Sequence, residues 1–184
     1  MNRLIIIGLL GLVSLYFLGS AKPTFFADDS VLIINKIEIK ISGKSTVGDY
    51  ACDNLLVKKD SIFLNLSKRN CIAAEIPMLK FDCGNKIMTK DLQSTVKVRS
   101  YPNSDVRISD IKCVGKNYKC NLVFAITDKT LKYKDFILYT SGNKIQGTIN
   151  LNFSDIGLKA PVKMAGLIKV KDQITIDFCL YKSI

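Results

Sequence analysis

Hydrophobic and polar residues alternate along most of the chain after residue 36. A period of two is typical of a strand that buries one face and exposes the other to water. Clear examples are Ile37 to Ile41, Cys120 to Ile126, Ile145 to Phe153 and Ile174 to Leu180. The pattern predicts roughly eight or nine strands, joined by short polar turns. Since strands do not alternate with helices, we expect an all-β, mostly antiparallel protein.

Two architectures satisfy this alternation. A closed barrel buries one face of a single sheet and removes the edges of that sheet. A two-sheet sandwich buries the same faces between its layers. The pattern by itself therefore leaves barrel and sandwich open.

The segment from Phe81 to Ile108 departs from the alternation in its first half. Met88, Leu92 and Val96 recur every four residues, as they do on one face of a helix. We interpret the segment as one short helix inserted in a β protein. A strand is the alternative, because a second set of residues also alternates: Leu92, Ser94, Val96 and Val98.

The predicted helix has recognisable ends. Thr89 can cap its N-terminus, and Asp91 then lies in the first turn, where a carboxylate complements the helix dipole. The helix ends before Tyr101-Pro102, because the residue that precedes a proline avoids the α conformation.

The N-terminus has the pattern of an export signal. Arg3 precedes an apolar run from Leu4 to Leu18, and Gly19-Ser20-Ala21 supplies the small residues of a cleavage site. The run is shorter than the ~20 residues of a membrane span, although an uncleaved anchor is the alternative. We expect a signal peptide at residues 1–21, a leader at 22–31 and one β domain at 32–184. The mature protein is then periplasmic or secreted.

The composition of the chain excludes several classes of catalytic and metal site. The 184 residues include 27 Lys or Arg against 16 Asp or Glu, a net charge of +11, and no His. Without His, Ser-His-Asp and Cys-His catalysis and His-containing metal sites are excluded. The carboxylates are scattered, and no C-x-x-C motif occurs. We therefore predict no enzyme activity, no cofactor and no metal site.

The positive charge is spread along the chain. Its longest clusters are Lys58-Lys59 and Lys68-Arg69, whereas nucleic-acid binding needs a focused basic stripe with aromatic residues. We predict a solvated basic surface with weak contact to an anionic membrane surface, and no nucleic-acid partner. The oligomeric state is not indicated.

Six cysteines in an exported chain predict disulfides, and six allow 15 pairings. Folding one hairpin on Lys116-Asn117 places Cys113 opposite Cys120. Opposed residues of antiparallel strands lie within disulfide reach where they form a non-hydrogen-bonded pair. Cys113 and Cys120 are therefore a candidate disulfide, with two free buried thiols as the alternative.

A long connection runs from Ser154 to Lys171, which we call the closing segment. It is rich in Gly, Pro and small residues, yet it also carries several large apolar residues. Long apolar loops are uncommon unless they fold over something. The closing segment either plugs one end of a barrel or borders a ligand entrance.

Four segments of the chain resemble the YceI-like family of exported lipid-binding proteins, particularly its short Bacteroidetes-type members. No single motif is diagnostic, but the order and spacing of the segments are more specific than any one of them. They comprise an opening strand pair, a strand with a helix and a return strand, a further strand, and a closing loop with the last strand: Ile41 to Cys52, Ile76 to Ile108, Gln146 to Phe153 and Ser154 to Phe178.

The resemblance implies an antiparallel eight-stranded lipocalin-like barrel with one short helix near the barrel mouth. In the better-known members a long isoprenoid chain lies in the lumen. Short members often carry cysteines at the positions of Cys52 and Cys83, which implies a disulfide between them. Cys71 and Cys179 would then be bridged or free. The absence of aromatic residues from Val31 to Ile41 departs from the family pattern and leaves the ligand open.

An apolar barrel interior is either filled by its own side chains or holds an apolar ligand. We predict a binding protein for an isoprenoid or fatty-acyl lipid. The predicted ligand contacts are inward-facing strand residues with two residues of a helical lid: Leu122, Phe124, Ile126, Ile149, Leu151, Phe153, Ile176 and Phe178, with Met88 and Leu92. A headgroup would meet basic residues at the mouth: Lys86, Lys90, Lys97, Arg99, Lys159 and Lys163. The alternative is a disulfide-stapled barrel that binds another envelope protein and holds no ligand.

Overall fold

A computed structural model describes residues 31–64 and 67–183 of the protein. The predicted signal peptide and most of the predicted leader lie outside these residues. Within the described ranges the chain forms one α-helix, α1 (Lys86–Thr95), and nine strands. In chain order the strands are β1 (Val31–Ser45), β2 (Gly48–Phe63), β3 (Cys71–Pro77), β4 (Asn103–Val114), β5 (Asn117–Ile126), β6 (Lys129–Ser141), β7 (Lys144–Asn152), β8 (Val162–Lys163) and β9 (Ile168–Lys182).

The strands form a single antiparallel sheet in the order β2-β1-β9-β7-β6-β5-β4-β3. The two-residue β8 pairs only with the start of β9. The other eight strands curve into a nearly closed barrel, in which the two outer strands of this order, β2 and β3, come together. The predicted fold class is confirmed, and the choice between barrel and sandwich is decided for the barrel.

The seam between β2 and β3 is closed by isolated contacts rather than by a continuous ladder. Asp53 and Asp82 exchange two backbone hydrogen bonds, at 2.8 and 2.9 Å. The Asn54 side chain donates to the backbone oxygen of Pro77 at 3.0 Å. A disulfide joins the neighbours of the two aspartates, and it is the pair that the family resemblance implied: Cys52 and Cys83. One covalent bond therefore secures the point where the barrel closes.

Side chains fill the barrel interior away from the helix. Gly147 on β7 lies opposite Phe178 on β9, and a Cβ at Gly147 would lie 2.4 Å from the Phe178 ring. The Phe178 ring stacks on Phe136 of β6, with ring centroids 5.9 Å apart. A small void between β1, β3, β4 and β9 is about 20 Å³, close to the space that one water needs. The middle of the lumen is therefore a packed core.

The β4–β5 hairpin does not join Cys113 to Cys120, so this predicted disulfide is wrong. The turn is Gly115-Lys116, with Gly115 at φ 60°, a left-handed conformation that favours glycine at the first turn position. Cys113 consequently lies opposite Tyr118. Both cysteines are free thiols, and Cys113 is exposed whereas Cys120 is buried.

The helix α1 begins earlier than the sequence pattern predicts. Asn85 is the N-cap, and its side chain accepts hydrogen bonds from two backbone N–H groups of the first turn. The Thr89 hydroxyl instead accepts a hydrogen bond from the backbone N–H of Cys83, at 3.1 Å. Asp91 lies in the second turn, so the predicted cap at Thr89 is wrong by four residues.

Two buried groups predict a loss of stability at alkaline pH. Burial raises the pKa of the Cys120 thiol to about 12 and the pKa of the Tyr50 hydroxyl to about 12. An unfolded thiol titrates near pH 8.5 and an unfolded tyrosine near pH 10. Between each of these values and pH 12 the unfolded chain loses a proton that the folded chain keeps. The free energy of unfolding should therefore fall as the pH rises above about 9.

Urea unfolding between pH 7 and 10 tests this prediction with Cys120→Ala. Below pH 10 the Cys120 thiol contributes more than the Tyr50 hydroxyl. At its steepest, it lowers the free energy of unfolding by about 1.4 kcal/mol per pH unit. We expect the variant to lose less stability than the parent over this range, whatever its stability at pH 7. The matched control is Cys113→Ala, at an exposed thiol, which should run parallel to the parent. Parallel curves for Cys120→Ala would contradict the prediction.

Candidate ligand-binding site

The barrel contains a cavity of about 670 Å³ at the end where α1 lies, which we call the mouth end. Four parts of the chain surround this cavity: the β1–β2 turn with the start of β2, α1, the residue that follows β7, and the closing segment with the start of β9. Its apolar lining comes from all four parts: Val47, Tyr50, Cys52, Ile87, Met88, Leu92, Phe153, Pro161, Met164, Ile168 and Val170. The barrel therefore has a packed interior in its middle and an open cavity at its mouth end.

The helix α1 turns one face toward this cavity. Met88 and Leu92 line the cavity and pack against the core, and Val96, directly after the helix, is buried. Lys90 and Gln93 line a separate groove on the other side of α1. The four-residue spacing that predicted the helix thus also predicted the face that contacts the barrel.

The closing segment plugs the barrel with its first part and lines the cavity with its second. Ile156 and Leu158 are buried in the core. Pro161, Met164 and Ile168 line the cavity. The first part is therefore packed into the barrel, as one interpretation of this segment expected, and the second part borders a cavity.

One ion pair spans the edge of the cavity. Lys163 Nζ on the closing segment lies 2.7 Å from Asp91 Oδ1 on α1. Both side chains keep contact with solvent, and a pair of this kind contributes about 0–1 kcal/mol. The contact positions the helix against the closing segment without fixing it there.

Tyr50 forms part of the cavity wall beside the disulfide. Its ring lies against Gly43 on β1, where a Cβ would lie 2.4 Å from the hydroxyl oxygen. The hydroxyl is buried and has no hydrogen-bond partner, and burial raises its pKa to about 12. Tyr50 therefore stays neutral at physiological pH and adds no charge to the apolar wall.

The predicted ligand contacts are divided between the cavity and the packed core. Met88, Leu92 and Phe153 line the cavity. Phe178 borders the small void in the middle of the lumen. The others are buried in the core without lining either space: Leu122, Phe124, Ile126, Ile149, Leu151 and Ile176.

The predicted headgroup contacts are similarly divided. Lys163 lines the cavity. Lys90, Lys97 and Arg99 line a groove of about 410 Å³ on the other side of α1, and no carboxylate lies in its lining. The two remaining lysines are exposed and line neither space: Lys86 and Lys159.

Sequence reasoning missed the part of the cavity that the β1–β2 turn supplies. Val47 in the turn and Tyr50 just after it both line the cavity. A valine at a turn between two strands was an available signal, because such a turn normally carries polar residues. Ile87 was missed as well, because it lies beside Met88 rather than on the four-residue spacing.

Within residues 31–64 and 67–183, no group of three or more Cys, Asp or Glu residues is arranged to hold a metal ion. No helix in the same ranges is long and apolar enough to cross a membrane.

The fold and the cavity together define a small antiparallel barrel of lipocalin-like architecture that opens at one end. No family model matches the chain. No curated protein matches it either. Solved structures do, and their likeness lies in the fold.

One similar structure is a polyisoprenoid-binding domain from Saccharophagus degradans that is implicated in plant cell wall breakdown. The likeness has a TM-score of 0.57 and 12% sequence identity, and covers 84% of this chain and 98% of that one. It shows that the two share a fold. The resemblance predicted from the four sequence segments is thereby confirmed at the level of the fold.

Two other structures are similar at lower scores. BcnA from Burkholderia cenocepacia has a TM-score of 0.48 and 15% identity, over 77% of this chain and 94% of that one. A YceI protein from Campylobacter jejuni has a TM-score of 0.48 and 13% identity, over 77% of this chain and 85% of that one.

Proposed function

We propose that the protein is an exported binding protein that holds an apolar lipid, of isoprenoid or fatty-acyl type, in the cavity at its mouth end. The preformed apolar cavity of about 670 Å³ carries this proposal. Its volume lies within the range of roughly 300–1,000 Å³ that small-molecule sites occupy. The shared fold with a polyisoprenoid-binding domain supports the class of ligand.

The energetics favour a hydrocarbon tail in this space. Burying a methylene group gains ~0.8 kcal/mol, so about 15 carbons would gain on the order of 10 kcal/mol. Association costs ~4–15 kcal/mol, and less when the site is already formed. Met88 and Leu92 are held on the cavity wall by packing against the core. Binding therefore requires little ordering of the protein.

The length of the bound tail is limited by the packed core. Phe136 and Phe178 cross the lumen over Gly147, so a long chain cannot run through the whole barrel without moving them. We expect a short tail, or one end of a longer tail, with the polar end of the lipid at the mouth. The Asp91–Lys163 pair lies at that edge and offers both a donor and an acceptor.

The proposed protein is exported and carries its lipid without catalysing a reaction. The signal-like residues 1–21 support a periplasmic or secreted protein, and the Cys52–Cys83 disulfide fits an oxidising compartment. The charged residues that line the cavity are Asp49, Asp91 and Lys163. Asp91 and Lys163 pair with each other and Asp49 is exposed, so no two of them form a candidate acid–base pair for catalysis. The bound lipid is therefore carried rather than converted.

Extraction of the purified protein tests this function. Protein from its native host, extracted with organic solvent and studied by mass spectrometry, should release an apolar molecule in near-stoichiometric amount. The delipidated protein should then bind farnesol or palmitate in a fluorescence competition assay. A protein that releases no lipid and binds neither probe would contradict the proposal.

A further inference from the structure

We infer that the mouth end of the barrel docks on an anionic phospholipid membrane surface, where the cavity exchanges its lipid with the bilayer. The inference rests on the proposed function and adds a partner and a contact surface to it. The surface is a set of five exposed apolar side chains, which we call the mouth rim: Val47, Ile87, Val162, Met164 and Leu167.

The mouth rim concentrates apolar side chains that the core does not bury. The five are 71%, 71%, 59%, 66% and 73% exposed, in the order given. They make up five of the twelve large hydrophobic residues that are exposed in the described part of the chain. Single exposed hydrophobics are ordinary, but a cluster around one opening marks an interaction site.

Hydrogen bonds and one ion pair hold the rim together. Thr46, next to Val47 in the β1–β2 turn, donates from its hydroxyl to the Leu167 backbone oxygen at 2.9 Å and from its N–H to the Lys169 oxygen at 3.0 Å. Lys169 in turn pairs with Val162. Across the cavity, the Asp91–Lys163 pair ties α1, which carries Ile87, to the closing segment. Three separate elements thus present apolar side chains around one entrance.

The charges at the mouth favour an anionic surface. Lys44, Lys86 and Lys169 are exposed beside the rim residues. Two carboxylates line the cavity, Asp49 and Asp91, and the charge of Asp91 is offset by its ion pair with Lys163. An alternation of apolar and basic side chains is typical of surfaces that lie at a membrane interface.

The basic groove on the outer side of α1 adds to the positive charge near the mouth. Lys90, Lys97 and Arg99 line it without a carboxylate. A basic residue near an anionic leaflet is attracted to it, and the attraction falls off within a Debye length. These residues would orient the approach of the mouth end, while the rim supplies the apolar contact.

Membrane docking also provides a route by which a lipid tail can enter the cavity. A lipid tail that leaves a bilayer through water must expose its apolar surface, which costs free energy for every methylene group. A rim inserted at the headgroup level places the cavity entrance against the acyl region, so the tail transfers between apolar surroundings. A bilayer therefore fits a surface that is apolar around an apolar opening and basic outside it.

Vesicle sedimentation with the exported protein tests the inference. Vesicles of phosphatidylcholine mixed with phosphatidylglycerol should bind the protein, whereas vesicles of phosphatidylcholine alone should bind it much more weakly. The double variant Ile87→Ser with Leu167→Ser should bind the anionic vesicles at least about tenfold more weakly than the parent, since it removes two inserted side chains. The matched control is Val57→Ser with Val114→Ser, at exposed valines away from the mouth, and it should bind like the parent.

A second pair of variants separates charge from apolar contact. Lys44→Gln with Lys169→Gln should weaken binding to anionic vesicles about tenfold. Its control, Lys112→Gln with Lys116→Gln near the turn at the opposite end of the barrel, should weaken it much less. Raising the salt from low to high should reduce binding of the parent and abolish the difference between these two variants.

Three outcomes would overturn the docking surface. They are equal binding to both kinds of vesicle, equal losses in the rim variant and its control, and no binding to either vesicle by the parent. Lipid extraction from the same preparation separates this inference from the proposed function. Protein that carries a lipid but fails to sediment overturns docking alone, and protein that sediments but neither carries nor takes up a lipid overturns the lipid-binding function.

Discussion

Replacing Cys52 and Cys83 together with alanine is expected to lower the free energy of unfolding by about 3.5 kcal/mol. The disulfide closes a loop with a sequence separation of 31, and the cross-link removes conformational entropy from the unfolded chain. It also lies beside the two hydrogen bonds between Asp53 and Asp82 that close the seam. We therefore expect the midpoint of thermal unfolding to fall by roughly 10 °C.

Urea and thermal unfolding, each followed by circular dichroism, measure this effect. The matched control is Cys71→Ala with Cys179→Ala, at two free and partly buried thiols, which should cost much less. Amide exchange at Asp53 and Asp82 should accelerate in the Cys52→Ala, Cys83→Ala protein more than exchange in β9. Equal stability of this protein and the control protein would show that the seam does not depend on the disulfide.

The same change should also weaken ligand binding, because Cys52 lines the cavity. The segment from Cys83 leads directly into α1, so the disulfide fixes the start of the helix that carries Met88 and Leu92. A looser seam therefore means a less preformed cavity, and association then has to order the helix as well.

The second large effect is expected at the cavity itself. Leu92→Asp should lower the affinity for farnesol or palmitate about 100-fold or more, because it removes an apolar contact and brings a carboxylate that loses its water when a tail enters. Leu92 is only partly buried, so the fold should survive the change. Ligand titration well below the unfolding midpoint, with circular dichroism as the check of folding, measures the effect.

The matched control is Gln93→Asp, one residue further along α1 on the other side of the helix. It introduces the same charge and a similar loss of helix propensity, but outside the cavity. We expect its affinity to stay within about twofold of the parent. Similar affinities for Leu92→Asp and Gln93→Asp would place the ligand away from α1 and contradict the assigned site.

The alternation of residues was enough to predict the strands and their buried faces. Leu122, Ile149 and Ile176 are all buried, as the period of two requires. The faces are predictable because successive side chains of a strand point to opposite sides, so a buried face appears directly in the sequence. The face of α1 was predictable for the same reason, from the four-residue spacing of Met88 and Leu92.

Strand register was less predictable than strand faces. The Cys113–Cys120 pairing depended on a turn at Lys116-Asn117, and the structure turns one residue earlier, at Gly115-Lys116. Moving a two-residue turn by one residue shifts every opposite pair by two, so Cys113 faces Tyr118 instead of Cys120. The short sequence of a turn allows several such registers, and the packing of the whole barrel selects one of them.

The division between open and filled lumen was decided by tertiary structure alone. Phe153, directly after β7, and Phe178, on β9, are both buried, yet Phe153 lines the cavity and Phe178 fills the middle of the barrel. The difference arises because Gly147 admits the Phe178 ring, whereas α1 and the closing segment hold the mouth open. Periodicity specifies which side of the sheet a residue occupies, but not how much space its neighbours from distant parts of the chain leave there.

The sequence by itself thus determined an antiparallel β protein, its buried faces, one helix and the face by which that helix contacts the barrel. Tertiary structure decided the barrel closure at the Cys52–Cys83 seam, the cavity and the apolar rim around it. Local periodicity follows from backbone geometry, which acts between near neighbours in the chain. Cavity and rim depend on contacts between the β1–β2 turn, α1 and the closing segment, which lie far apart in sequence and meet only when the barrel is formed.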